Sequence, residues 1–128
     1  MEYFFLTVII LILLFGVFLT FWFSGKKQLT KGQKDYYRKE IEKTSVLPSS
    51  NEQILQYDKI LHHILKDYGY KGTVGDQLKT KPYMIHNLDT IWSLHKLRNK
   101  LAHDMEIVSE GLLERKAEEF EKEVLKLL

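Results

Sequence analysis

The chain has no cysteine among its 128 residues, which excludes a disulfide framework, a thiolate metal site and a lipid-modified cysteine. It has only two prolines and no repeat or low-complexity tract, which excludes a linker-rich architecture. No segment alternates between apolar and polar residues as a half-buried strand does. The length is sufficient for one small all-helical domain with an appendage.

The appendage is a long apolar run near the N-terminus. Tyr3 to Phe23 carries no charge, and as a helix its 21 positions would span about 31 Å, close to the roughly 30 Å hydrocarbon core of a bilayer. A buried core helix of this length would need a larger domain around it, and Glu2 in place of a basic n-region argues against a cleaved signal peptide. We therefore predict a transmembrane anchor over residues 1–24, with the lipid bilayer as its partner through residues 3–23.

The charge that follows the apolar run predicts its orientation. Only Glu2 precedes the run, whereas the next stretch is rich in basic residues: Lys26, Lys27, Lys31, Lys34, Arg38, Lys39 and Lys43. The positive-inside rule then predicts a single-pass protein of the inner, cytoplasmic membrane, with the N-terminus outside and the C-terminal domain in the cytoplasm. We expect residues 25–48 to be a basic juxtamembrane linker, which Pro48 ends because it disfavours helix at the preceding residue.

Residues 49–128 are predicted to form a small antiparallel helical bundle. The apolar periodicity predicts a helix from about Asn51 to Tyr68 that Gly69 ends, and a short helix that Thr73 caps. A central helix is expected to start between Pro82 and Asn87, and a last helix follows Ser109. The central helix is apolar on two sides, which is typical of the middle of a bundle.

The central helix also carries the most reactive group of side chains, Arg98-Asn99-Lys100-Leu101-Ala102-His103. This string resembles the R-x4–6-H signature of HEPN-like domains, and Trp92 and His95 before it resemble membrane-anchored members of that group. The resemblance covers about residues 50–128 and implies a helical bundle and a metal-independent endoribonuclease site built across a homodimer. By resemblance His103 is the acid/base, Arg98 clamps the phosphate and Asn99 orients both, with no cofactor.

The chemistry of these residues agrees with that implication. RNA cleavage by the 2′-hydroxyl needs a group that titrates near neutrality, as histidine does with its ordinary pKa of about 6.5, and a cation for the developing phosphate charge. Arg98 and His103 are five positions apart, which is about 140° around an ideal helix. They converge only if the helix loosens at its end or a second subunit completes the site.

A structural interpretation of the same residues stays open. Arg98 can pair with a carboxylate of the last helix, Asn99 can bond a loop, and His103 can cap the helix, where a cation is favoured. The chain would then be a non-catalytic module that dimerises or recruits a protein partner at the membrane. We interpret His95 as a packing residue, Trp92 as core, and His62 and His63 as surface or boundary residues.

Charge and ligand spacing limit the partners. From Thr44 onward there are 12 basic and 13 acidic residues, a net charge of −1, which is not typical of a general nucleic-acid binder. RNA contacts would have to be local, around Lys96, Arg98 and Lys100, with Lys79 and Lys81 nearby. Asp104 and Glu106 lack His or Asp partners at ligand spacing, so no metal site is predicted.

Overall fold

The computed structural model describes residues 1–22, 25–103 and 107–128. These residues form helices and connecting turns, without a strand, which confirms the predicted all-α class. The helices are α1 (Glu2–Trp22), α2 (Lys31–Ser45), α3 (Ser50–Asp67), α4 (Val74–Lys79), α5 (Leu88–His103) and α6 (Glu110–Leu125).

Helix α1 is apolar and stands apart from the other helices. Its side chains are exposed nearly throughout, and it packs on no other helix in the described part of the chain. The hydroxyls of Thr7 and Thr20 donate to the carbonyls of Phe4 and Val17, at 2.8 and 2.7 Å, so the polar groups are bonded within the helix. Tyr3–Trp22 is therefore long and apolar enough to cross a membrane. Phe23, the end of the predicted span, lies outside the described residues.

Helices α2, α3, α5 and α6 form an antiparallel bundle. The ends of α3 and α6 meet where the Tyr68 hydroxyl donates to the Leu127 carbonyl, at 2.7 Å. Tyr83, which precedes α5, packs against Tyr68 and donates to the carbonyl of Lys27, which precedes α2. Helices α2 and α5 thus begin at the end of the bundle where α3 and α6 finish. The predicted bundle arrangement fits this packing.

The central helix of the bundle is α3, whereas the sequence indicated α5. Helix α3 packs on α2, α4, α5 and α6, and α5 packs on α3, α4 and α6. The apolar stripe of α3 is buried throughout, while α5 buries only Ile91, Leu94 and His95. The fully buried apolar side chains come from five helices and make one core: Ile41, Ile54, Tyr57, Leu61, Ile64, Leu65, Leu78, Ile91, Leu94, Phe120 and Val124. The sequence predicts two apolar faces on α5, but the neighbouring helices bury only part of them.

The segment predicted as a linker contributes a helix to this core. Thr30 and Gln33 form a capping box that starts α2, with the Gln33 side chain accepting from the Thr30 N–H at 2.9 Å. Tyr37 and Ile41 of α2 are buried with Leu29. The bundle therefore begins at Leu29 rather than at residue 49. The sequence allowed a partly helical stretch here but did not place it in the bundle, because its many lysines hide the few apolar residues that are buried.

The connections agree with the turn chemistry of the sequence. Pro48 separates α2 from α3, and the Ser49 hydroxyl caps α3 by accepting from the Glu52 N–H at 3.3 Å. Gly69 follows α3 with φ of 99°, a conformation that glycine adopts without strain. Thr73 caps α4, as predicted. Ser109 precedes α6, although its side chain makes no capping bond.

Candidate functional site

A basic groove lies between α3, α4 and α5. It has a volume of about 650 Å³ and is open to solvent. The side chains that line it on the three helices and on the turn before α4 are Asp58, Lys59, His62, His63, Thr73, Val74, Lys79, Trp92, His95, Lys96, Arg98 and Asn99. Helix α4 can form one wall because the capping box of Thr73 and Asp76 fixes its start.

Four side chains of the groove, Asp58, His95, Asn99 and Arg98, are linked by three hydrogen bonds and one ion pair into a circuit that we call the polar ring. His95 Nδ1 lies 2.8 Å from Asp58 Oδ1, and the opposite ring nitrogen, Nε2, lies 3.2 Å from Asn99 Nδ2. Arg98 Nη1 donates to Asn99 Oδ1 at 3.1 Å. Arg98 Nε lies 3.4 Å from Asp58 Oδ2, which makes an ion pair without hydrogen-bond geometry. Each member therefore holds the next in place.

The ring determines how His95 uses its two nitrogens. Asp58 only accepts when it is ionised, so His95 Nδ1 must donate to it. The Asn99 amide donates to Nε2, which is consistent with a neutral imidazole protonated on Nδ1. Asp58 is 4% and His95 9% exposed, so both are part of the interior. The prediction that His95 is a packing residue is confirmed by its burial. The hydrogen bonds of its ring to Asp58 and Asn99 were not predicted.

Arg98 is the charged member of the ring that is open to a ligand. Its side chain is 27% exposed and lines the groove, while Nε and Nη1 are held by Asp58 and Asn99. A guanidinium held at two of its three nitrogens keeps its remaining N–H groups in a fixed direction, which suits a phosphate or carboxylate. The geometry thus favours Arg98 as an anion clamp with Asn99 as the residue that orients it.

The electrostatics of the groove favour an anion. Lys59, Lys79, Lys96 and Arg98 line it, and Asp58 is the one carboxylate among the lining residues. That carboxylate is already engaged by His95 and Arg98. Local charge in the groove is therefore positive although the domain as a whole is not.

An aromatic wall adds a second type of contact. Trp92 packs against the core, as predicted, but it is only partly buried and also lines the groove. The Lys96 ammonium lies 5.9 Å from the Trp92 ring. An indole face beside lysines is suited to a planar group that carries negative charge, such as a nucleotide.

The three predicted catalytic residues are not brought together within one copy of the chain. Arg98 and Asn99 are in contact in the groove, but His103 is exposed and does not line it. Helix α5 continues without a break through His103, so the loosening that would bring His103 to Arg98 does not occur. Asp104 and Glu106, which follow it, lie outside the described residues.

The other predicted basic contacts divide in the same way. Lys79 and Lys96 line the groove together with Arg98, as expected, whereas Lys81 and Lys100 are not among its lining residues. His62 and His63 of α3 also line it, the first half-buried and the second exposed, as predicted for surface or boundary residues. Lys59, which the sequence did not single out, joins them because it is on the same helix.

Asp58 is the functional residue that sequence reasoning missed. It is four residues after Ile54 and three before Leu61, so it falls on the apolar stripe of α3. A carboxylate on such a stripe must find a cation or a hydrogen-bond donor. A charged residue on an apolar stripe was therefore a sign of a buried ionic partner. The partner is Arg98, which pairs with Asp58 of α3 and not with a carboxylate of the last helix.

Neither a metal-binding cluster nor a similar protein gives further information on the site. Among the described residues, no three His, Asp or Glu side chains lie close enough together to hold a metal ion. Comparison of the chain with models of known families, with characterised proteins and with solved structures finds no match.

Proposed function

We propose that this protein is a single-pass membrane protein whose cytoplasmic helical domain binds single-stranded RNA in the basic groove. The observation that carries the proposal is the set of four cations, Lys59, Lys79, Lys96 and Arg98, around a carboxylate that is already paired. Folding assembles them from three helices. Such a concave cationic site recognises phosphate groups, which are the dominant contact of proteins with nucleic acid.

The anchor and its orientation are part of the proposal. Helix α1 has the length and composition of a span, and none of its side chains is needed by the bundle. Basic residues follow it and only Glu2 precedes it, so the positive-inside rule favours a cytoplasmic bundle at the inner membrane. The groove would then be available to cytoplasmic RNA.

RNA is favoured over simple anions because the groove has two kinds of contact. Arg98 supplies N–H groups in a fixed direction for one phosphate, and the lysines supply mobile charges for its neighbours. Trp92 supplies a flat surface on which an unpaired base can stack, for about 1–3 kcal/mol per base. Double-stranded RNA does not offer such a base, so single strands should bind more tightly.

Metal-independent cleavage of the bound RNA is the second candidate function. His103 is exposed at the end of α5, which leaves it free to enter the groove of a second copy and to act there as the acid/base. Arg98 of the first copy would then stabilise the phosphate. This candidate keeps the HEPN-like resemblance and requires a homodimer, whereas a non-catalytic module requires neither His103 nor cleavage.

RNA binding is tested with the full chain in nanodiscs of zwitterionic lipid. A fluorescent single-stranded RNA is titrated and its anisotropy is followed. The double variant Lys79→Ala/Lys96→Ala should weaken binding at least ~10-fold, or about 1.4 kcal/mol. The matched control Lys39→Ala/Lys43→Ala removes two exposed lysines of α2 that do not line the groove and should bind as the parent does. Equal losses in both variants would contradict a specific site.

Cleavage is tested on the same RNA with excess chelator, by electrophoresis. If His103 acts across a dimer, His103→Ala and Arg98→Ala should each be inactive alone, and a co-reconstituted mixture should recover part of the activity. The mixture restores one site that has Arg98 from one copy and His103 from the other. Binding without cleavage would reject the second candidate and leave the binding proposal intact. If the protein neither binds nor cleaves RNA, the result would support a module that recruits a protein partner.

A further inference from the structure

The segment between α1 and α2 is fixed to the bundle. The Tyr83 hydroxyl donates to the Lys27 carbonyl at 3.1 Å and accepts from Gln28 Nε2 at 3.2 Å. The Lys26 ammonium lies 4.8 Å from the centre of the Tyr83 ring, a cation–π contact, and Leu29 is buried in the core. Residues 26–29 are therefore part of the folded domain and not a flexible tether.

This attachment limits the distance between the bundle and the end of α1. Four Cα–Cα steps separate Trp22 from Lys26, which allows at most about 14 Å of extended chain. The headgroup layer on each side of a bilayer is about 5–8 Å thick. If α1 spans the membrane, as the proposed function requires, the end of the bundle beside Lys26 lies within the headgroup layer or at most about 9 Å beyond it.

A second pocket opens at this end of the bundle, and we call it the basal pocket. Its volume is about 490 Å³, and it lies beside the carboxyl end of α3. The residues that line it are Lys27, His62, Lys66, Gly69, Tyr70, Lys71 and Gly72. No carboxylate is among these lining residues, and within the described residues neither Lys66 nor Lys71 has a salt-bridge partner. The basal pocket therefore has several positive charges that are not neutralised.

Two glycines determine the path of the loop that lines this pocket. Gly69 and Gly72 have φ of 99° and 87°, which side-chain-bearing residues rarely adopt. The Lys27 side chain passes over Gly69, with its Cδ 3.8 Å from the place where a Cβ would stand. At Gly72 the Asp76 side chain fills the place of a Cβ, with Oδ2 2.9 Å from it, and its carboxylate accepts from Thr73. The backbone that a bound group can approach is therefore that of Gly69, with Lys27 on one side of it and Lys71 on the same loop.

We propose that the basal pocket binds the phosphate of an anionic phospholipid headgroup. Its position within reach of the headgroups and its unneutralised lysines are the features that such a ligand needs, since basic side chains near anionic lipid contribute favourably one by one. The lipid would fix the orientation of the bundle on the membrane. The inference rests on the membrane anchor of the proposed function but not on RNA binding.

The test is native mass spectrometry of the delipidated full chain in a nonionic detergent. Phosphatidylglycerol, phosphatidylcholine and soluble glycerol phosphate are added in turn at equal concentration. Phosphatidylglycerol adducts should exceed phosphatidylcholine adducts in the parent and should fall at least ~10-fold in Lys66→Ala/Lys71→Ala, as expected when about 1.4 kcal/mol is lost. The control Lys39→Ala/Lys43→Ala should keep them, because these lysines are in the half of α2 that leads away from this end.

Each other result overturns the proposal. Equal adducts with both lipids, or phosphatidylglycerol adducts that survive in Lys66→Ala/Lys71→Ala, would mean that the lipid is held outside the basal pocket. Binding of glycerol phosphate that depends on Lys66 and Lys71 would mean that the pocket takes a soluble phosphate ester.

A second measurement tests the position of the pocket without relying on lipid affinity. The chain has no cysteine, so Lys31→Cys, at the exposed start of α2 and outside the pocket lining, can carry a single fluorophore in nanodiscs that contain a headgroup-attached nitroxide. Strong quenching is expected at position 31 and little in Lys43→Cys. Equal quenching at both positions would contradict the orientation. Retention in membranes after alkaline carbonate extraction tests the anchor separately, so its failure is distinguishable from failure of the basal pocket.

Discussion

The two histidines of α5 have opposite environments. His95 is buried and bonded on both ring nitrogens, to Asp58 and to Asn99. His103, two turns later on the same helix, is exposed and has no hydrogen-bond partner among the described residues. The histidine that matches a motif is thus the one the fold does not use, while the other is fixed into the polar ring.

The two environments suit two different roles: His95 can position its neighbours, and His103 can react with a molecule from outside. A histidine whose two nitrogens are both engaged inside a protein stabilises the groups around it, and here those groups include Arg98. An exposed histidine can act only on what reaches it from outside. The polar ring should therefore determine the stability of the bundle, and His103 should matter only for a reaction that involves a second copy.

The largest effect is expected when the ring loses its carboxylate. Asp58→Ala removes the partner of both His95 and Arg98 and should reduce the free energy of unfolding by roughly 3 kcal/mol, the low end for breaking a buried pair. The low end applies because the Arg98 side chain is 27% exposed and regains some water. Denaturant unfolding of the full chain in detergent measures it, with Glu52→Ala on the same helix as control. A loss equal to that of the control would contradict the role of the ring.

A smaller loss is expected at the buried histidine. His95→Ala removes one hydrogen bond to a carboxylate and one to an amide and should cost about 2 kcal/mol. The same unfolding experiment measures it. Because Arg98 still faces Asp58, the loss should stay below that of Asp58→Ala. A greater loss would mean that His95, and not the carboxylate, organises the ring.

The exposed histidine should contribute little. His103→Ala should change the free energy of unfolding by less than about 0.5 kcal/mol, which is usual for a surface residue without partners. His95→Ala is the matched comparison for this variant, because both substitutions remove an imidazole from α5. A loss at His103 as large as that at His95 would mean that His103 packs against something, and the contrast between the two would be wrong.

The smallest effect is expected at the wall of the groove and depends on pH. Hydrogen bonds from the backbone N–H and the hydroxyl of Thr73 lower the pKa of Asp76 from its ordinary value of 3.8. A carboxyl whose pKa is lowered by folding adds stability above its unfolded pKa and loses it as the pH falls through the folded pKa. Asp76→Asn should therefore lower the melting temperature slightly at neutral pH, and the difference should shrink below pH 3.8 and vanish once the pH is below the lowered pKa of Asp76. A difference that persists in acid would contradict this cap.

Much of the fold could be predicted from local signals. The apolar run, the turn glycines and the caps at Ser49 and Thr73 each act within a few residues, so their consequences are visible in the sequence. Helix α2 could not be placed in the bundle because its burial depends on Tyr37 and Ile41 meeting α3 and α6, helices that follow later in the chain.

The candidate site was only half predictable, for a physical reason. Arg98 and Asn99 are adjacent in the chain, and their position on one side of a helix follows from helical geometry. Asp58 is 37 residues before His95, and Lys59 and Lys79 come from two other helices. Only packing brings them together, so a motif confined to α5 contains the anion clamp but not the groove.

Photocrosslinking is the most direct test of the groove as the RNA site. The full chain in zwitterionic nanodiscs is irradiated with single-stranded RNA that carries 4-thiouridine, and the modified tryptic peptide is identified by mass spectrometry. We expect the crosslink on the peptide that contains Trp92. Crosslinks confined to the lysine-rich residues 26–39, or to the peptide that contains His103, would contradict binding in the groove.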